Sequence, residues 1–238
     1  LTGFDSNTVT VDADAVHSIA TSDELVIKGD TEDNLVLKGT WTAVGSPELV
    51  DGVAYQTYTS PQTGSAGLST IKVDTRINVL QNQTGTSSNE TITGASGSVN
   101  EFISAGDGND SIDAGDGDDV LRGGAGDDSL TGGSGTDTAD YGDVPNGVIV
   151  NLGTGNATGT IGGVAVTVAG GQAQGDGTDT LSGIENVAGS SGNDLLVGST
   201  DGNRLAGGEG ADTADGGAGD DSIYGGSGAD SLSGGTGA

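Results

Sequence analysis

Single apolar residues recur at mostly nine-residue intervals through the second half of the chain, in segments otherwise dominated by glycine, aspartate, serine and threonine. One run of such nonapeptides extends from Ala105 to Asp140, and a second extends from Gln174 to Ser233. Glycine is the usual second and fourth residue, Asp or Asn is the sixth, and an apolar residue is the eighth. The eighth residues are Ile112, Leu121, Leu130, Ala139, Leu181, Leu196, Leu205, Ala214, Ile223 and Leu232.

The nonapeptide pattern predicts a turn followed by a short strand. Glycines at the second and fourth positions permit positive φ and close backbone approach, so the first six residues can form a tight turn with inward carbonyls. Side chains alternate in the strand that follows, so only the eighth residue faces the interior. Two nonapeptides complete one flattened coil of eighteen residues, and successive coils stack as parallel strands about 4.8 Å apart. The pattern therefore predicts an all-β protein containing a parallel β-roll.

Stacking of the coils would bring the sixth-position side chains together, because turns eighteen residues apart become neighbours. Asp110 would lie over Asp128 on one edge of the roll, and Asp119 over Asp137 on the other. Carboxylates this close repel unless a cation lies between them. Calcium accepts six to eight oxygens at about 2.3–2.6 Å, whereas magnesium needs a tighter octahedron. The predicted metal ligands are Asp110, Asp119, Asp128, Asp137, Asp179, Asp194, Asn203, Asp212, Asp221 and Asp230.

Nonapeptides such as GGAGDDSLT at Gly123 resemble the RTX repeat, a calcium-binding nonapeptide that forms a β-solenoid. The resemblance implies several bound Ca²⁺ ions and a protein secreted from, or displayed on, a Gram-negative bacterium. It also implies export by the type I secretion apparatus, with a signal beyond the repeats that this chain would not include. DELVIKGDTEDNLVLKGTW at Asp23 and YQTYTS at Tyr55 are similar to a domain that precedes RTX repeats in very large bacterial adhesins.

Four segments are predicted along the chain. Residues 1–82 form a small β-rich domain with strands at Glu24, Asn34, Val53 and Ser69, and VDADAVHSIA, from residue 11, could form a short helix. Residues 83–140 and 174–238 form the two repeat blocks. Residues 141–173 form a β insertion, which either continues the solenoid as a wider coil or binds a ligand. The first interpretation is favoured, because no charged or aromatic cluster marks the insertion as a site.

Charge limits the partners of the chain. The formal net charge is −29, and residues 83–238 contain 24 acidic and 2 basic residues. Nucleic acids and anionic membranes both require basic patches, so neither is expected as a partner. No apolar run is long enough for membrane insertion. The composition also allows a disordered acidic tail, but the regular apolar positions favour an ordered roll when calcium is present; without calcium, disorder is expected.

Residue types indicate a protein that is not an enzyme. His17 is the only histidine, so an H-E-x-x-H zinc site is impossible, and no G-x-S-x-G motif occurs. The favoured function is a calcium-binding module of a secreted adhesin that attaches to a host or surface ligand through other parts of the parent protein. Two alternatives stay open: the C-terminal module of a secreted protease, lipase or epimerase, and a solenoid that binds ice or polysaccharide. The outward positions form no regular threonine rank, and only Tyr141 and Tyr224 could stack on a sugar in the repeat-bearing half.

Overall fold

The chain divides into two compact units, Leu1–Asn82 and Gln83–Ala238. The computed structural model describes residues 8–12, 24–27, 34–38, 42–50, 53–61, 68–74, 78–95 and 97–237. Every regular element among these residues is a β-strand, which confirms the all-β prediction. Within the same residues, no helix is long and apolar enough to cross a membrane.

The first unit contains two sets of paired strands. Its strands are β1 (Thr8–Asp12), β2 (Glu24–Ile27), β3 (Asn34–Lys38), β4 (Thr42–Val50), β5 (Val53–Pro61), β6 (Leu68–Asp74) and the start of β7 (Asn78–Thr84). Strands β1, β3 and β7 are parallel. Strand β2 pairs with β6 in parallel. Strand β5 pairs antiparallel with both β6 and β4. Leu35, Leu37, Ile71 and Val73 form a buried apolar cluster.

The strand predictions for this unit fit the described residues, with two additions. The segment from Ser69 forms two strands, β6 and β7, and β1 and β4 were not predicted. The short helix was predicted from Val11, but Val11 and Asp12 end strand β1. The other residues of that segment, including His17, lie outside the described residues.

The second unit is a stack of short strands on two faces. They are β8 (Thr91–Thr93), β9 (Glu101–Asp107), β10 (Ser111–Asp116), β11 (Val120–Ala125), β12 (Ser129–Ser134), β13 (Thr138–Asp140), β14 (Ile149–Asn151), β15 (Ala157–Ile161), β16 (Val164–Val168), β17 (Gln172–Gln174), β18 (Thr178–Ser182), β19 (Asn186–Ala188), β20 (Leu195–Val197), β21 (Arg204–Glu209), β22 (Thr213–Asp215), β23 (Ser222–Ser227) and β24 (Ser231–Ser233). One face has the order β9-β11-β13-β19-β21-β23, and the other has the order β24-β22-β20-β14-β17-β18-β12-β10-β8. This architecture confirms the predicted β-roll.

The register of the roll follows the eighteen-residue spacing within each repeat block. Ile112 lies beside Leu130 in parallel strands, and Leu205 lies beside Ile223. Eight of the ten eighth-position residues are buried and form one core with residues of the insertion. Towards the end of the stack, Ile223 is partly buried and Leu232 is 48% exposed. The eighth-position residues therefore supply eight of the eighteen buried residues of this core.

The segment between the repeat blocks contributes strands to the roll. Strands β14 and β17 lie between β18 and β20, and β17 is antiparallel to both of its neighbours. Strand β14 is parallel to β20, so the direction of the stack is restored. Strands β15 and β16 form an antiparallel hairpin. Ala157 and Val168 of this hairpin form a buried apolar cluster with Ile149 of β14. The stack is therefore parallel except at this insertion.

A second-position glycine shows why the turns depend on this residue. Gly124 has a φ of +101°, a conformation that side chains rarely adopt. A Cβ atom built on Gly124 would lie 1.9 Å from the carbonyl oxygen of Gly106 in the neighbouring coil. Glycine is thus required both by the turn conformation and by the close approach of the next coil.

Two alanine substitutions separate these requirements. Gly115 has nearly the same φ, +99°, but a Cβ there would meet no atom within 4 Å. We expect Gly115→Ala to lower the free energy of unfolding by about 1–3 kcal/mol through backbone strain alone. Gly124→Ala should lower it further because of the clash with the carbonyl oxygen. Urea unfolding in saturating calcium measures both values, with Gly155→Ala, which has neither constraint, as the control. Equal losses for Gly115→Ala and Gly124→Ala would contradict a rigid contact between coils.

Candidate metal centre

Sixth-position side chains form ladders along both edges of the roll. The backbone N–H of Asp110 donates to Asp128 Oδ1 at 2.8 Å, and that of Asp119 donates to Asp137 Oδ1 at 2.9 Å. The second block repeats this bond from Asp194 to Asp212 (2.9 Å), from Asp212 to Asp230 (3.0 Å) and from Asn203 to Asp221 (2.8 Å). The structure therefore brings together the residues that the eighteen-residue spacing pairs.

The ladders also include three glutamates that the sequence analysis missed. The N–H groups of Glu90 and Glu101 donate to Asp110 Oδ1 and Asp119 Oδ1, each at 2.7 Å. The N–H of Asp137 donates to Glu185 Oε2 at 2.9 Å. Each glutamate precedes an apolar residue by two positions, in the segments ETI, EFI and ENV. A pattern that allowed glutamate at the sixth position would have found them.

The insertion changes the spacing of the ladder but not its geometry. The N–H of Asp128 donates to Asp179 Oδ1 at 3.0 Å, although the two residues are 51 positions apart. From within the insertion, the N–H of Val148 donates to Asp194 Oδ1 at 2.8 Å. Val148 thus occupies a ladder position that offers no side-chain oxygen.

The second carboxylate oxygen of many ladder aspartates has no partner. Each of these oxygens is fully buried and accepts no hydrogen bond; they are the Oδ2 atoms of Asp110, Asp119, Asp128, Asp137, Asp212 and Asp221. A buried acceptor without a partner costs free energy, and a buried charge costs more. Native proteins rarely leave such atoms unsatisfied, so six equivalent cases on two ladders indicate sites for a cation.

Turn carbonyls complete the oxygen environment. A Cβ atom built on Gly207 would lie 2.2 Å from Asp212 Oδ2 and 2.7 Å from the carbonyl oxygen of Gly225. Among the described residues, no group of three or more His, Cys, Asp or Glu side chains could hold a metal. Additional ligands at each site would therefore have to be other oxygens, and the turn carbonyls are the nearest candidates. A set of carboxylate and carbonyl oxygens fits calcium, a hard cation that tolerates many oxygen ligands, and lacks the nitrogen or sulfur that zinc prefers.

Burial makes the charged form of these carboxylates unfavourable. It raises the pKa of Asp119 to about 6, and the nearby charge of Glu101 raises it further, against a backbone hydrogen bond that lowers it. The pKa values of Asp128 and Asp137 are also raised to about 6, chiefly by burial. Burial likewise raises the pKa of Asp212. A bound cation would oppose both effects, because it replaces lost solvation and offsets the repulsion.

Three of the ten predicted ligands have their side-chain oxygens already bonded to protein donors. Asp179 Oδ2 accepts the Tyr141 hydroxyl at 3.0 Å, and burial raises the pKa of Asp179 to about 7. Asp194 Oδ2 accepts the N–H of Ser190 at 2.7 Å, and its Oδ1 accepts the hydroxyl of the same serine at 2.7 Å. Asn203 Oδ1 accepts the N–H of Ser199 at 2.6 Å. The ladder therefore contains residues with free oxygens and residues without them.

Comparison with known families agrees with the repeat pattern. A family model for the RTX calcium-binding nonapeptide repeat, which spans four copies, matches residues 97–130, 104–139, 179–214, 188–221 and 206–238. These ranges include all ten predicted ligands. No curated protein matches the chain.

The raised pKa values predict how the metal-free roll responds to pH. In the unfolded chain an aspartate has a pKa near 3.9, whereas Asp119, Asp128 and Asp137 have values of about 6 in the fold. Their protonation therefore stabilises the fold fully below about pH 4, and this stabilisation is lost as the pH rises through 6. In excess chelator, far-ultraviolet circular dichroism should show more β-structure at pH 5 than at pH 7.

A neutral variant provides the control for this prediction. Asp119→Asn cannot titrate and should show a smaller difference between pH 5 and pH 7 than the parent chain. Asp113→Asn removes the same charge at an exposed position whose charge does not raise the pKa of Asp119, Asp128 or Asp137, and it should keep the parent's difference. A β-signal in chelator that is unchanged or smaller at pH 5 would contradict the prediction.

Proposed function

Because the chain is an RTX repeat protein with calcium-binding nonapeptides, we propose that residues 83–238 act as a calcium-driven folding switch in a secreted bacterial adhesin. The observation that carries this proposal is the set of six buried Asp Oδ2 atoms without a hydrogen-bond partner. The bound ions would supply positive charge and accept the carboxylate and turn carbonyl oxygens as ligands. The residues proposed to hold them are the predicted ladder aspartates with free oxygens.

Charge determines the two states of the switch. Residues 83–238 contain 24 acidic and 2 basic residues, so the protein itself offers little positive charge to the stacked carboxylates. Where free calcium is scarce, repulsion and the loss of solvation favour the unfolded chain. Where calcium is millimolar, metal binding provides the free energy of folding, as in other domains whose site exists only in the folded state.

This dependence suits a protein that is exported before it folds. In the bacterial cytosol the repeats would stay extended and could pass through the type I secretion apparatus. Calcium outside the cell would then fold the emerging segment and prevent it from sliding back. The proposed location is the extracellular space or the surface of a Gram-negative bacterium.

The adhesin assignment rests on the similarity of residues 1–82 to the domain that precedes RTX repeats in large adhesins. Other parts of the parent protein would carry out surface attachment, and the roll would serve as a folded support for them. We propose no catalytic activity for the roll, because its buried aspartates are engaged in backbone ladders rather than facing an open cleft.

Calcium titration tests the switch directly. In excess chelator at pH 7, residues 83–238 should lack β-structure, and calcium should restore it cooperatively at roughly 0.1–1 mM. Magnesium at the same concentration should not replace calcium, since it demands a smaller octahedral shell. Circular dichroism monitors both titrations. Identical spectra with and without chelator would refute the proposal.

Two adjacent aspartates provide a matched test of the proposed ligands. Asp128 is buried and has a free Oδ2, whereas Asp127 is exposed and accepts the N–H of Thr178 through Oδ1. Asp128→Asn removes one charged ligand at almost constant volume and should raise the calcium midpoint several-fold, with the loss of at least one bound ion. Asp127→Asn removes the same charge from the adjacent position and should change the midpoint little. Equal effects in isothermal titration calorimetry would show that the ions respond to total charge rather than to these sites.

A further inference from the structure

We propose that twelve turns of the roll belong to two classes and that only one class binds calcium; this inference rests on the proposed function. Open turns have a sixth-position aspartate whose Oδ2 receives no protein donor, and they are the turns of Asp110, Asp119, Asp128, Asp137, Asp212, Asp221 and Asp230. Closed turns have that position bonded by the protein's own donors, and they are the turns of Glu90, Glu101, Asp179, Asp194 and Asn203.

Backbone conformation at the second position separates the two classes. In every open turn this residue is a glycine with φ between 92° and 114°: Gly106, Gly115, Gly124, Gly133, Gly208, Gly217 and Gly226. In three closed turns it is Thr86, Ser190 or Ser199. The turn of Glu101 is two residues longer: Ala95 is the second residue from its start, and Gly97, with a φ of +95°, lies four positions before Glu101. In the fifth closed turn the second residue is Gly175, whose φ lies outside the positive range. Outside the longer turn of Glu101, hydrogen bonding and backbone conformation therefore give the same division.

The closed turns at the start of the roll use the second-position N–H as the donor. The N–H of Thr86 donates to Glu90 Oε2 at 2.7 Å, and the hydroxyl of Thr86 bonds Oε1. The N–H of Ala95 donates to Glu101 Oε2 at 2.8 Å, and Glu101 Oε1 accepts the side-chain amide of Gln83 at 2.5 Å. Both oxygens of each glutamate are thus satisfied without a metal.

The closed turns near the insertion reach the same state with different donors. Ser190 bonds both oxygens of Asp194, and the Tyr141 hydroxyl bonds Asp179 Oδ2. Asn203 has one side-chain oxygen, which Ser199 bonds, and its Nδ2 donates to the carbonyl of Glu185 at 2.7 Å. Each donor directs a partly positive hydrogen at the oxygen that a cation would need, so calcium would have to displace it. The open turns present no such competitor.

The closed turns near the insertion are neighbours in the stack. Asp179 lies in β18 and Asp194 directly precedes β20, the strands on either side of β14 and β17, and Asn203 precedes β21 on the other face. Four open turns precede this group and three follow it. The roll would therefore consist of two calcium-binding blocks joined by a middle segment in which protein donors bond the side-chain oxygens of Asp179, Asp194 and Asn203.

Isosteric substitutions on one ladder test the division. Asp212 and Asp194 are bonded neighbours eighteen residues apart, and both are buried. We expect Asp212→Asn to lower the calcium stoichiometry by one or two ions in equilibrium dialysis. Asp194→Asn and Asp179→Asn should keep the parent stoichiometry and a midpoint within about twofold of the parent. Circular dichroism in saturating calcium checks that each variant folds.

The outcomes distinguish this inference from the proposed function. A parent chain that binds no calcium would overturn the proposed function. A parent chain that binds calcium, with the same loss of ions in Asp194→Asn as in Asp212→Asn, would overturn only the division into two classes. If a variant does not fold, crystals of the calcium-loaded parent chain decide the matter by anomalous scattering. Ions at the open turns alone support the inference, and an ion bonded to Asp194 or Asp179 refutes it.

Discussion

The structure depends on the burial of carboxylates stacked along each edge of the roll, each of which accepts the backbone N–H of its neighbour in the ladder. Asp119 and Asp137 illustrate the constraint, because both are fully buried and their pKa values are raised to about 6. Without a counter-charge, each step of the ladder is destabilised, because its carboxylates lose their solvation and repel one another. The glycine turns and the eighteen-residue register produce this unfavourable arrangement, and the acidic composition supplies its carboxylates.

The two oxygens of one aspartate have separate tasks. In Asp128, Oδ1 accepts the N–H of Asp110 and so fixes the register between coils, whereas Oδ2 is left free. The first interaction is independent of metal, and the second creates the need for it. A core built from one apolar residue per repeat buries little surface, so small β-units of this kind need additional stabilisation. The same side chain therefore both aligns the coils and couples their stability to calcium.

Sequence periodicity predicted the parts of the structure that repeat. It paired Asp110 with Asp128 and placed Ile112 in the core, because both follow from the turn length and the alternation of side chains. It did not predict the antiparallel pairing of β14 with β17, since that pairing depends on how a unique segment fits between coils. The contact between Tyr141 and Asp179 spans 38 positions and depends on the same fit. Glu90 and Glu101 were missed because the sixth position was taken as Asp or Asn alone.

Continuity of the ladder, rather than continuity of the sequence period, keeps the two blocks in one stack. The bonded pairs Asp128–Asp179 and Asp137–Glu185 span 51 and 48 positions, yet they use the same N–H to carboxylate geometry as pairs eighteen positions apart. Each coil of a solenoid contacts only its neighbours, so an inserted segment is tolerated when its own strands present the correct backbone groups. Strand β14 meets this requirement by lying parallel to β20, with the N–H of Val148 directed at Asp194. Hydrogen bonds can thus extend the stack where a site for calcium is missing.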